Sequence, residues 1–396
     1  MWPKTTARLL VWTMFTTINI FSQKASQTAF KKFGWFLIST NSRGLLLVLL
    51  VFILSNCKET EKDEVKPIVT TDSSQISEPY KIDLPSHFPT PVFNVGAVKF
   101  SKDKFDLGKK LFYDGILSLD GSISCGSCHI SSGAFSNPDH PTSHGIRDQF
   151  GTRNAPPIQN MIWKKEFMWD GGIPDLERVA KAAIENKLEM DESLENVTKK
   201  VNAKADYNKL FNKAYGKKEV DPIDLLNALS HFMMPMISAN SRYDKYVNGK
   251  PEANFSNDEV EGLTLFRSKC AQCHTEPLFT DNSFRNNGLD TLNEKDFGRY
   301  DITLREIDKF TYRVPSLRNV TVSQPYMHNG KLFSLESVLK HYNENAKPSK
   351  NTDPLLKQAN GKTGIALTNE EQRKIILFLR TLQDDKFIFD SRFSEN

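Results

Sequence analysis

The stretch SISCGSCHI, residues 122–130, sets Cys125 and Cys128 two residues apart with His129 directly after; KCAQCHT, residues 269–275, repeats the arrangement with Cys270, Cys273 and His274. The chain has five cysteines and eight histidines in 396 residues, so these two motifs consume all the thiols but one. Two thiols at this spacing reach the two vinyl groups along one edge of a porphyrin and form thioethers. The next residue then lies beneath the ring, where an imidazole nitrogen can ligate the iron. Each motif therefore predicts one covalently bound haem c. A zinc site built from paired Cys-x-x-Cys units spaces the pairs by roughly 15–20 residues, far less than the interval here. A thioredoxin-like redox site has no use for a histidine in both copies.

Something must hold each motif, and the sequence repeats there too. DLGKKLFYD before the first site matches EGLTLFRSK before the second, with Gly108-x-x-Leu111-Phe112 against Gly262-x-x-Leu265-Phe266. Apolar pairs at that spacing predict an amphipathic helix leading into each site, with a glycine that lets another backbone come close. Near the end of the chain, Thr368 and Glu371 form a capping box. Ile375, Ile376, Phe378, Leu379 and Leu382 then share one apolar face. Alternating β-branched runs are scarce. The fold class predicted is mainly α, with two cytochrome c-like domains, each carrying one c-type haem, joined near KYVNGKPEANFS, residues 245–256.

Composition is that of a globular protein, 39% hydrophobic and 25% charged, and a net charge of +4 is too small for a nucleic-acid footprint. The fifth cysteine ends RGLLLVLLVFILSNC, an apolar run from Leu45 to Leu54 followed by Ser55, Asn56 and Cys57. The run is short for a bilayer span and suits a signal-peptide core. It resembles a bacterial lipoprotein signal, with Cys57 as the lipidated residue and Asn56 a loose fit beside it. Residues 1–42 fit this less well: either translation starts further downstream, or the segment around Leu9 to Phe21 is an extra anchor. Both send the protein across the inner membrane, so the expected location is periplasmic, tethered as a lipoprotein. The domain reading is a leader over 1–57, a polar, proline-containing tether over 58–91, and haem domains over 92–250 and 251–396.

Between and after the haem motifs lie GTRNAPPIQN, FMWDGG and LEM, then FRNNGL, VPSLRNV and QPYMHNGKLFSLESVLKHY. In this order, from about residue 100 to 383, the chain resembles the bacterial dihaem cytochrome c peroxidase family, including its MauG-like enzymes. The resemblance implies a peroxidatic haem in the first domain and an electron-entry haem in the second. It implies a catalytic role for Glu189 and an inter-haem position for Trp169. It also implies a structural Ca2+ between domains, held by Asn154 with the backbone carbonyls of Ser323 and Pro325. Taken alone, Glu189 reads as a solvated helix residue and Trp169 as a core aromatic. His87 and His231 read as structural.

The implied activity is reduction of hydrogen peroxide with electrons from a small periplasmic cytochrome c or cupredoxin. The alternatives are a MauG-like oxidant of a protein substrate and a non-catalytic dihaem electron-transfer protein; a homodimer is the expected assembly. Two positions depart from the peroxidase pattern. Where a removable histidine caps the first iron in other members, this chain has Ile146, with His140 and His144 nearby; the reading favours an open iron. Where the second iron takes a methionine, the register set by His328 places Tyr342, as in MauG-like members. Its hard, anionic phenolate would favour oxidised iron and lower the potential. Met327, the one methionine after Cys270, and His341 are the other candidates.

Overall fold

The computed structural model describes residues 78–138, 140–289 and 295–395. The leader, Cys57 and the tether as far as residue 77 lie outside them. Among the described residues no helix is long and apolar enough to cross a membrane.

The longer helices are α1 (Lys102–Tyr113), α2 (Leu194–Asn202), α3 (Ala205–Tyr215), α4 (Pro222–Met233), α5 (Asn257–Lys269) and α6 (Asn369–Arg380). A single antiparallel pair, β1 (Phe284–Arg285) with β2 (Tyr312–Arg313), is the sheet among the described residues. The mainly helical expectation therefore holds. Thr368 and Glu371 close a capping box on α6 as the sequence suggested, and the structure adds two more, Ser256 with Glu259 on α5 and Asp221 with Asp224 on α4, where Pro222 follows.

Two hydrophobic cores form. In the first, α1 crosses α4, and a Cβ at Gly108 would sit 2.1 Å from the carbonyl oxygen of Ala228. In the second, α5 crosses α6, and a Cβ at Gly262 would sit 2.1 Å from the carbonyl oxygen of Lys374. The same device, a glycine that admits a neighbouring backbone, seats the helix before each Cys-x-x-Cys-His motif. Phe112 and Phe266, four residues on, are each 1% exposed.

Two boundaries of the sequence reading shift. The tether expected to run to residue 91 ends earlier. Phe88 enters the first core, Tyr80 stacks on Phe105 at 4.8 Å, and the Trp163 indole donates to the Pro89 carbonyl at 2.7 Å. These aromatics supply the apolar surface that the polar composition concealed. At the other end, Phe387, Ile388 and Phe393 leave the second half and pack into the first core, and the Tyr113 hydroxyl donates to the Phe393 carbonyl at 2.5 Å. His87 and His231 stand in structural settings. His87 meets Asp244 at 2.9 Å, and His231 stacks on Phe100 with Nδ1 on the Asn227 carbonyl.

Candidate functional site

Residues Cys125–Cys128 form one helical turn whose ends are tied by reciprocal hydrogen bonds between Ser124 and Ser127. Gly126 faces the Tyr113 ring so closely that a Cβ would lie 2.4 Å from it. The turn delivers His129, whose Nδ1 meets the Phe135 carbonyl at 2.7 Å. A carbonyl only accepts, so Nδ1 carries the proton and Nε2 keeps its lone pair. The carbonyl points this way because Ala134 and Phe135 both adopt left-handed backbone angles, φ 54° and 60°.

The second motif repeats the arrangement. Its histidine, His274, has Nδ1 3.2 Å from the Phe279 carbonyl and 3.1 Å from that of Pro315. Burial pushes the His129 imidazole down to about 4 and His274 below its ordinary value, so both are neutral near pH 7. Burial pushes the thiols of Cys125 and Cys270 up to about 12 and that of Cys273 up to about 11, and raises Cys128 as well. The Cys-x-x-Cys-His spacing, with each Nδ1 held by a backbone carbonyl, suits thioether attachment and a neutral nitrogen ligand to iron.

A cavity of about 470 Å3 opens beside the second motif, a size typical of a cofactor site. Cys270, Cys273 and His274 line it, with Leu339, Ile375 and Leu379 among its apolar walls. Tyr342 and Met327 also line it. Tyr342 sits in a π-helical turn, His341–Asn345, and its carbonyl accepts the Ile365 N–H at 2.6 Å. Burial pushes its phenol up to about 12, opposed by a hydrogen bond from Asn287. Met327 holds a left-handed φ of 70°, at the tip of a tight turn whose flanks pair Tyr326 with Leu332.

Trp169 is 8% exposed and lines the same cavity, where its indole N–H donates to the Asn154 carbonyl at 2.9 Å. Asn154 in turn takes the His328 carbonyl through its backbone N–H at 2.7 Å and the Pro141 carbonyl through Nδ2 at 3.0 Å. Asn154, Ser323 and Pro325 face this one cavity, together with Trp169.

Glu189 lies within electrostatic reach of the first motif. Its charge acts on both thiols there, and a Cβ at Gly151 would be 3.7 Å from Glu189 Oε1. Burial lifts its carboxyl to about 7, against a hydrogen bond from Asn186 that lowers it. The loop 143–151 is fastened beside it. Ile146 N–H donates to the Glu189 carbonyl at 2.9 Å, and Arg147 pairs with Asp191 at 2.8 Å. Ile146 is 1% exposed. His144 turns instead to Asp148 at 3.3 Å and stacks on Phe150 at 4.7 Å, and the His140 ring lies 5.7 Å from it.

Sequence reasoning missed three polar residues here. Lys164 acts electrostatically on His129. Burial and the neighbouring Arg313 hold the Lys164 ammonium well below the lysine range. Arg313, 5% exposed, donates to the Met168 carbonyl and is pushed down to about 10 by burial, with Glu166 and Asp170 opposing. Asn287 bridges the candidate ligands of the second site. Asn287 lies within FRNNGL, but nothing there marks its role, and nothing local marks Lys164 or Arg313; contacts between distant segments define all three.

With that geometry in place, comparison with known proteins is informative. A family model described as di-haem cytochrome c peroxidase matches residues 102–252. The methylamine utilization protein MauG of Methylorubrum extorquens is 32% identical over 308 residues, 76% of this chain and 82% of that protein. The cytochrome c551 peroxidase of Nitrosomonas europaea is 33% identical over 290 residues, 72% of this chain and 81% of that one. Among solved structures, a MauG-like protein associated with microbial copper homeostasis aligns with a TM-score of 0.71 at 30% identity, over 80% of this chain and 99% of the other.

Proposed function

Because the chain belongs to the di-haem cytochrome c peroxidase family with its MauG-like members, we propose that it carries two covalent haems c and reduces hydrogen peroxide to water. The observation that supports this most is the pair of Cys-x-x-Cys-His turns, each ending in a neutral histidine with Nδ1 on a backbone carbonyl and Nε2 free for iron. In this reading residues 92–250, with the returning C-terminal segment, form the peroxidatic domain around Cys125, Cys128 and His129. Residues from 251 to about 383 form the electron-entry domain around Cys270, Cys273 and His274.

Haem iron, held by these residues, would supply electron exchange with peroxide. Each peroxide consumes two electrons and two protons to give two waters, and the chain's own residues manage the protons. Glu189, with a carboxyl near pH 7, takes the proton from one peroxide oxygen and returns it to the other as the O–O bond breaks. Ile146 cannot ligate a metal and His144 turns to Asp148 and Phe150, which supports a first iron that would be open to peroxide, with His140 the remaining candidate cap. Trp169, hydrogen-bonded to Asn154 on the wall of the second cavity, gives electrons an aromatic step between the halves. Asn154, Ser323 and Pro325 are the candidate Ca2+ ligands, through hard oxygens. The electrons come from a small periplasmic cytochrome c or cupredoxin, and Cys57 tethers the chain as a lipoprotein.

One observation favours a second reading. Tyr342 lines the second cavity, as a MauG-like oxidant of a protein substrate would have it. Steady-state turnover with peroxide and reduced cytochrome c separates the readings. Catalytic consumption of both supports the peroxidase. A peroxide-induced spectral change without turnover favours the protein oxidant, and no response at all leaves an electron-transfer protein.

A further inference from the structure

The Asn287 side chain is held at both of its polar ends. Its Oδ1 accepts the Leu289 N–H at 3.2 Å in a local turn, which fixes the amide orientation and turns the NH2 group the other way. That NH2 has two protons to give. It donates to the Met327 sulfur at 3.4 Å; Asn287, Met327 and Tyr342 line one cavity, where the amide acts on the Tyr342 phenol in the sense that favours its ionised form. The backbone is pinned as well, since His341 Nε2 meets the Asn287 carbonyl at 3.1 Å. Tyr342 and Met327 are two potential iron ligands on the wall of the cavity that His274 also lines, and one amide acts on both.

We propose that Asn287 is the positioning residue that decides between them. Its N–H to Met327 occupies a sulfur lone pair and draws the thioether aside, while its N–H to Tyr342 stabilises a phenolate oxygen at the ligand position. The proposal rests on the two-haem reading with Tyr342 as the second ligand, and adds the residue that makes Tyr342 win over a methionine on the same wall. A hydrogen bond to a thioether is weak, and one to an anionic oxygen is about twice as strong as a neutral one. The amide's preference for the tyrosine therefore comes mainly from the phenolate side. Losing both donors frees the sulfur and strips the phenolate of its partner, and methionine ligation raises the potential of the iron it binds.

The test uses the exported, haem-loaded protein and its Asn287→Leu, Asn287→Asp, Tyr342→Phe and Asn287→Leu/Met327→Leu variants. Asp keeps the turn to Leu289 but offers no N–H, so it separates the donor role from the fold of the loop. The near-infrared spectrum of the ferric protein and the midpoint potential of each haem are measured, with covalent haem counted by intact mass. The parent is expected to lack a sulfur-to-iron band, and Tyr342→Phe to alter its spectrum. Both single Asn287 variants should keep two haems, gain the sulfur band and show a raised potential at one haem, and Met327→Leu should remove that band. If Tyr342→Phe alters the spectrum while the Asn287 variants match the parent in band and potential, the Asn287 assignment is wrong and the Tyr342 reading stands. Loss of a haem from both variants would likewise count against it, marking the amide as structural. A sulfur band in the parent, or an unchanged spectrum in Tyr342→Phe, removes the Tyr342 reading itself.

Discussion

At the scale of single residues, the chemistry depends on groups whose burial changes what they do. Glu189 is the clearest case. Its sequence neighbourhood, ENKLEMDESLE, is that of a solvated helix, yet the fold lifts its carboxyl to about 7. As a base it acts ionised, so kcat/KM for peroxide should rise as pH climbs through about 7. Glu189→Gln should lose that limb and about 10²–10⁴-fold in rate while keeping both haems; an unchanged pH profile in the variant would remove Glu189 from the mechanism. The same shift has a stability sign. A carboxyl raised above its unfolded value holds its proton more tightly when folded, so its ionisation weakens the fold as pH rises from the ordinary glutamate range toward 7. Chemical denaturation across that interval should show a shallower decline in the Gln variant. The candidate haem-binding residues were legible in the sequence because thioether attachment, as proposed, requires a fixed spacing. The roles of Lys164, Arg313 and Asn287 were not, even though Asn287 lies within FRNNGL, because those roles come from segments far apart in the chain.

At the scale of elements, the most readable features were those with a strong local period or cap. The α6 face and its Thr368–Glu371 box appear as the sequence suggested, as does the glycine in each helix before a haem motif. The partner of α1 was not readable. PIDLLNALSHFM is apolar on nearly every face and buries Leu225, Leu226, Ala228, Leu229, Phe232 and Met233 together, so no stripe announces which neighbour it meets. The turns that aim the histidines were hidden for another reason: they use left-handed angles at Ala134, Phe135 and Phe279, residues that do not advertise them. The glycine contacts can be tested directly. An exposed helix glycine changed to alanine gains about 1 kcal/mol. Gly108→Ala and Gly262→Ala should instead lose about 1–3 kcal/mol by forcing the crossing helices apart, measured by thermal or denaturant unfolding. A stabilised variant at either position would show that the helices are not in backbone contact.

At the scale of the whole molecule, the chain is not a simple tandem. The first core is completed from both ends, by Tyr80 and Phe88 from the segment read as tether and by Phe387, Ile388 and Phe393 from the last residues. FIFDSRF is too short to show a period, which is why the sequence left it with the second half. Because Phe393 is 1% exposed among Phe105, Phe135 and Phe232, Phe393→Ala should cost about 3–5 kcal/mol. The loss should appear in the unfolding of the first half, hundreds of residues away in sequence; a variant as stable as the parent would make the returning segment ornamental.

The two-haem reading underlies everything else, and intact mass spectrometry of the exported protein tests it most directly. The account predicts a chain carrying two covalent haem additions, falling to one, with loss of peroxide turnover, when Cys125 and Cys128 are both replaced by alanine. A parent chain carrying no haem, or only one, would contradict it.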